Sequence, residues 1–397
     1  MKKWYAVLGT ILLVLILLGI TRGSNPGTSS DKALGPVQAH VPAPDNRSWA
    51  TVGQAGISAN KATDISLAVS ATGTAYVAYN DTMLGVTVQR FNGTSWELVG
   101  AAGFSPSAIP RLTIDSTGKP LVVFVDGTHA QAMRFDGQSW VTSGQMDFSP
   151  NNAFAGSLVA AGGRLYSAFG ILVGNDNPKV FEYNGTTWTI LPPNPANLFD
   201  QLNYHWSSSL AVDGTGAPYI ATADGSASGR ATVTKWDGTS WVRVGSAGFS
   251  EGGETQGAAV HLPALAFDST NHPYLAYIQD QSGPEPRVSV MKNNGAGWAL
   301  VGAAGISPPA VESSILVVDS LDIPFVSYVH TNGAVFPVEV LKFDGVAWVP
   351  TGPGGGAAVG VTTDAFSSSF VKGPSGTLYL AFADHSAGDK VTIAAYR

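Results

Sequence analysis

Short apolar runs separated by turn residues fill this chain, with few stretches of helical periodicity. The runs fall into four kinds. The first is continuous and apolar, as in Leu67-Ala68-Val69, which suits a strand buried on both faces. A turn such as Asp115-Ser116-Thr117-Gly118 follows, where Asp bonds its own backbone and Gly accepts positive φ. The second run is β-branched and aromatic, as in Tyr219-Ile220-Ala221-Thr222. The third alternates, as in Val288-Ser289-Val290-Met291, and leads into an Asn-Gly or Asp-Gly turn that predicts a hairpin. The fourth opens at or beside a tryptophan.

These four runs recur along the whole chain. FNGTSWELVGAAGFS at 91–105 returns as FDGQSWVTSGQMDFS at 135–149, WDGTSWVRVGSAGFS at 236–250 and NNGAGWALVGAAGIS at 293–307. Shortened copies are YNGTTWTILPP at 183–193 and FDGVAWVPTGPGG at 343–355, and RSWATVGQAGIS at 47–58 holds only the second half. The tryptophans Trp49, Trp96, Trp140, Trp188, Trp241, Trp298 and Trp348 are 44 to 57 residues apart. Between them a second phrase runs from SLAVSATGTAYVAYND at 66–81 to SFVKGPSGTLYLAFAD at 369–384, again in seven copies.

A four-stranded sheet cannot bury both of its faces alone, and sheets repeated at this period bury each other by packing radially. The predicted fold is all-β: a seven-bladed β-propeller of four-stranded antiparallel blades. The last unit, 366–397, supplies three strands, and the orphan half-repeat at about 47–53 supplies the fourth. That pairing closes the ring and leaves no open end. The repeated tryptophans are then wedges between blades.

Composition agrees with a turn-rich ring: 47 Gly, 24 Pro and 12% charged residues. The absence of Cys excludes a disulfide scaffold, Cys-ligated zinc, c-type haem, a thiol nucleophile and a Cys-anchored lipoprotein. Lys2 and Lys3 precede an apolar run over residues 4–20. Residues 1–23 therefore read as a signal peptide or a transmembrane signal anchor, and 24–46 as a flexible linker to the propeller at 47–397. The body is expected to be extracytoplasmic, either anchored by residues 4–20 or secreted. Beyond residue 30 the chain carries 18 basic and 28 acidic residues. Without a basic stripe, nucleic acid is excluded as a partner, and membrane contact is limited to the N-terminal segment.

The string LAVDGTGAPYIA at 210–221 resembles the NHL and bacterial SBBP propeller repeats, and the FDGxSW hairpins are similar to those of lectin-type and kelch-type propellers. The resemblance covers about 47–397 and implies an exported bacterial propeller. It leaves function open, because one propeller hosts many activities. No kelch Gly-Gly pair recurs, and no Trp-Asp ending of WD repeats. Where a sialidase Asp-box has Asp two residues before Gly, this chain has Phe91, Phe135, Trp236 or Phe343, so no catalytic residue carries over.

In a propeller the loops from second to third strands share one face with the connections between blades. At the ends of second strands lie Asp81, Asp126, Asp224, Asp280, His330 and Asp384. They form either a carboxylate ring around the channel mouth or a set of turn caps, and repetition favours caps. Departures from the repeat point to ligand sites. The loop after Trp188 carries Phe199, Asp200, Tyr204, His205 and Trp206, aromatic faces suited to stacking on a sugar or to plugging a gap between blades. The loop after Trp241 carries Glu254 and His261, and Arg287 follows the 280–286 stretch. Arg111 replaces a small residue found in most blades, placing it either to bind an anion or to pair with a neighbouring Asp.

No zinc-ligand spacing, nucleophile elbow or phosphate loop is present, so no catalytic residue, metal or cofactor is assigned. The leading expectation is a monomeric scaffold that takes a protein or peptide on its loop face. The alternatives are a lectin-like carbohydrate-binding module and an extracellular glycoside hydrolase or lyase.

Overall fold

A computed structural model describes residues 45–397 apart from 107, 151–152, 172–177, 193–207, 251–260, 280–285, 332–334, 354–355, 357 and 365–366. The N-terminal segment lies outside the described residues. No described helix is long and apolar enough to cross a membrane.

Seven antiparallel sheets form the ring. The chain enters through β1 (Trp49–Thr51). Blade 1 is β2 (Ala62–Val69), β3 (Ala75–Asp81), β4 (Gly85–Phe91) and β5 (Trp96–Leu98). Blade 2 is β6 (Arg111–Ile114), β7 (Pro120–Asp126), β8 (His129–Phe135) and β9 (Trp140–Thr142). Blade 3 is β10 (Ala153–Ala161), β11 (Arg164–Ile171), β12 (Lys179–Tyr183) and β13 (Trp188–Ile190). Blade 4 is β14 (Ser208–Val212), β15 (Pro218–Asp224), β16 (Arg230–Trp236) and β17 (Trp241–Arg243). Blade 5 is β18 (His261–Phe267), β19 (Pro273–Gln279), β20 (Arg287–Asn293) and β21 (Trp298–Leu300). Blade 6 is β22 (Val311–Val318), β23 (Pro324–His330), β24 (Phe336–Phe343) and β25 (Trp348–Pro350), with β26 (Ala358–Thr362) added against β24. Blade 7 is β27 (Ser368–Lys372), β28 (Leu378–Asp384) and β29 (Lys390–Tyr396), completed by β1 in the order β1-β29-β28-β27. Trp49 pairs with Tyr396 and Thr51 with Ala394, so the expected ring closure is present.

The repeated phrase is explained by contacts between successive blades. The indole N–H groups of Trp96, Trp140, Trp188, Trp298 and Trp348 donate to the carbonyls of Val52, Val99, Ser143, Val244 and Val301 in the preceding unit. Phe104, Phe148 and Phe249 stack on Trp140, Trp188 and Trp298 with interplanar angles of 13°, 13° and 3°. The Ser that closes the phrase, after Phe or Ile, accepts from a third-strand N–H: Ser149 from Ala130, Ser250 from Ala231, Ser307 from Val288. The tryptophans are interblade wedges.

Inner strands are fastened to one another by serines. Ser66 accepts from the Leu112 N–H of blade 2, Ser209 from Leu265 of blade 5 and Ser369 from Leu67 of blade 1. On the hairpin face, the turn Asp of blades 2, 4 and 5 caps its own turn and meets a third-strand base. Asp213 pairs with Lys235 at 3.1 Å and Asp268 with Lys292 at 2.8 Å, each lysine lying over a tyrosine ring. Burial pushes the Asp268 carboxyl up, but the hydrogen bonds from Lys292 and Thr270 prevail and bring it down to about 2.

Candidate functional site at the channel mouth

Inner strands enter the ring from the loop face, so their first residues line the mouth. Four of them carry register shifts there, between Thr63 and Ser66, Phe154 and Gly156, His261 and Ala264, and Val311 and Ser313. Such bulges re-aim side chains at barrel and propeller rims.

Of the six second-strand ends, Asp81, Asp224 and Asp384 cap their own turns. Asp81 is buried and accepts from the N–H groups of Asn60, Met83 and Leu84 and from the Asn60 amide. Asp224 accepts from Ser226 N–H and Oγ and from Thr232; Asp384 does the same with Ser386 and Thr392. Their oxygens are committed to local donors, which leaves them poorly suited to a shared cation. Asp126 is exposed at its strand end. In blade 5 the register puts Gln279 at that position, one residue before Asp280, which lies outside the described residues.

Blade 6 departs from this pattern. His330 occupies the cap position, and Glu339 occupies the third-strand position held by Thr87, Thr232 and Thr392 in blades 1, 4 and 7. His330 Nε2 lies 3.6 Å from Glu339 Oε1. Tyr328, fully buried beneath them, is pushed far above the usual phenol range by burial and then by its hydrogen bond to the Glu339 carboxylate.

At the mouth itself, Arg111 stands where blades 1, 4 and 7 have the fastening serines Ser66, Ser209 and Ser369. Its Nε donates to the Gly156 carbonyl of blade 3 at 2.6 Å and its Nη1 to the Pro110 carbonyl at 3.1 Å. Asp64 is the neighbouring acid whose charge acts on Arg111, and among the described residues no carboxylate lies within 4.0 Å of Arg111. Surrounding atoms strip water from the guanidinium and pull its pKa down, opposed by the charge of Asp64.

Asp64 and Asp364 complete the cluster, and neither is evident from the repeat. Asp64 sits inside the β2 bulge at φ +53°, and its N–H donates to Ser367 Oγ at 3.2 Å. Ser367 in turn donates to Asp364 at 2.8 Å. Burial pushes the Asp64 carboxyl up, and the like charge of Asp364 adds to this; Thr63 and Arg111 oppose. The available signal was an acid beside the apolar core of an inner strand, where a purely apolar run was expected.

Among the other proposed site residues, Phe199, Asp200, Tyr204, His205, Trp206 and Glu254 lie outside the described residues. His261 opens β18, paired with Ile278. Arg287 opens β20 and donates to the Ser307 carbonyl at 2.7 Å, which ties it to the blade 5–6 connection.

No protein-family model matches the chain, and no curated protein sequence matches it. Solved structures do. A structure of an ulvan lyase, from a new family of polysaccharide lyase, superposes with TM-score 0.53 and 10% identity over 86% of this chain and 94% of that chain. The same enzyme bound to GlcA(1-4)Rha3S superposes with TM-score 0.53 and 9% identity over the same shares. A six-bladed fungal lectin from Aleuria aurantia with a fucose recognition mode gives TM-score 0.47 and 13% identity over 77% of this chain and 100% of that one. At these identities the likeness to the lyase establishes a shared propeller fold.

Proposed function

We propose that this propeller is an exported module, anchored or secreted, that binds a polysaccharide on its loop face at the channel mouth. The observation that carries the reading is the gathering of Arg111, Asp64 and Asp364 from three parts of the ring at the one end where the repeat breaks down. Carboxylates and a guanidinium bond readily to the vicinal hydroxyls of sugar rings. The shared fold with a polysaccharide lyase whose structure is bound to a sugar supports the same ligand class. The test is a broad glycan array probed with the full chain. A specific polysaccharide signal is expected, and a blank array refutes the reading.

A second reading, a protein or peptide scaffold, draws on Met83 and Leu84 in the β3–β4 turn and Ile109 in the β5–β6 connection. These are 78%, 47% and 37% exposed on the loop face. Exposed Met and Leu are common at adaptable protein-binding surfaces. Cross-linking in the native envelope tests it. A specific partner lost on Met83→Asp and Leu84→Asp substitution favours it, and unchanged capture excludes this patch.

A further inference from the structure

We propose that the channel mouth contains an anion subsite, in which Arg111 holds the carboxylate or sulfate group of an acidic sugar; this rests on the polysaccharide reading above.

Among the described residues, Arg111 has no carboxylate in contact, and its charge is offset only by the more distant charge of Asp64. A guanidinium has five N–H donors, and Arg111 commits two to carbonyl oxygens. Arg111 is half-buried, and an anion at its remaining donors offsets the hydration that it has lost. Asp64 acts on Arg111 through its charge but makes no contact with it within 4.0 Å, and burial and the like charge of Asp364 raise its carboxyl against the opposing pull of Thr63 and Arg111.

A staple between neighbouring blades needs no charge. Ser66, Ser209 and Ser369 perform that task at the same position with one neutral hydrogen bond each. The guanidinium is also held in place. The Gly156 carbonyl that accepts from Nε lies in the β10 bulge, and a Cβ at Gly156 would come within 2.5 Å of the Phe169 ring, so a larger residue there displaces the acceptor. Among the described residues, the site therefore has a tethered cation, donors beyond the two that bond carbonyls, and no carboxylate within 4.0 Å. A neutral hydroxyl satisfies the donors but leaves the charge unbalanced; a carboxylate or sulfate answers both. Because the body is acidic overall, the general field does not attract polyanions, so recognition depends on one anionic group placed at Arg111.

The experiment is calorimetric titration of the full chain with methyl glucuronide, glucose sulfate and methyl glucoside, repeated on Arg111→Met and Arg111→Lys. Wild type is expected to bind the charged sugars about tenfold more tightly than the glucoside. Arg111→Met is expected to erase the difference, and Arg111→Lys to keep part of it, since lysine retains charge but loses the fork. Equal binding of charged and neutral sugars by wild type overturns the proposal without any variant. So does a folded Arg111→Met chain that keeps the preference. A blank polysaccharide array with Arg111-dependent glucuronide binding removes the polysaccharide reading and leaves the subsite standing. An array positive for neutral glycans alone does the reverse.

Discussion

At the residue scale, the fold rests on a few positions with no freedom of choice. Gly245 holds φ +82°, and a Cβ there would stand 2.8 Å from Trp298 Cδ1. Gly245→Ala is expected to destabilise the propeller by about 2 kcal/mol or more, combining left-handed strain with displacement of the interblade indole, measured by chemical denaturation. Asp64 is expected to behave in the opposite way. Its carboxyl is raised in the folded state, so it favours folding while protonated and opposes folding once ionised. Asp64→Asn should therefore raise the melting temperature at neutral pH, helped by the ease with which Asn accepts positive φ. The gain should fade as pH falls into the range where wild-type Asp64 is protonated. A variant less stable than wild type at pH 7 would show that the ionised carboxylate supports the mouth.

At the element scale, much was legible in the sequence. All four strand kinds appear where the runs place them, and every fourth strand opens at its tryptophan, because repetition over seven copies averages out the ambiguity of any single short run. The added strand β26 was not legible. It arises in the connection after Trp348, where the Ala-Gly-Phe-Ser phrase is lost, and its Gly360 packs against the Phe382 ring so closely that a Cβ would lie 2.3 Å away. The Asp64–Asp364–Arg111 cluster was half legible. Arg111 stands out against the serines of the repeat, whereas Asp64 reaches the mouth through a bulge and Asp364 through an irregular connection. The capping role of second-strand acids makes a further prediction. Asp224→Ala removes an acceptor of three hydrogen bonds and should cost about 1–2 kcal/mol, whereas Asp126→Ala at an exposed strand end should be nearly neutral. A chelator should leave the melting temperature unchanged; a chelator-sensitive melt would return these carboxylates to a cation site.

At the scale of the whole molecule, one short strand closes the ring, and a cluster on the hairpin face holds it. Arg47 bonds Asp45 and Asp319, while Lys342 Nζ lies 2.6 Å from Asp45 and Tyr396 Oη donates to it at 3.1 Å. Burial raises the Asp45 carboxyl, but the hydrogen bonds from Arg47 and Lys342 outweigh it and hold the group well below the usual carboxylate range. A depressed carboxyl contributes stability above its unfolded value of 3.8 that is lost as pH falls through the lower folded value. Asp45→Asn should therefore lower the melting temperature at neutral pH, with the two chains converging in strong acid. A difference independent of pH would assign the effect to packing. This clasp ties the closing strand to blade 6 on the hairpin face.

The most direct test compares the two faces of the ring. The full chain would be titrated calorimetrically with a uronate oligosaccharide, alongside Arg111→Met at the mouth and Lys119→Met, whose exposed ammonium bonds the Asp136 carbonyl on the hairpin face. Binding is expected by wild type and by Lys119→Met, with its loss in Arg111→Met. Equal binding by all three chains, or equal loss in both variants, would contradict that expectation.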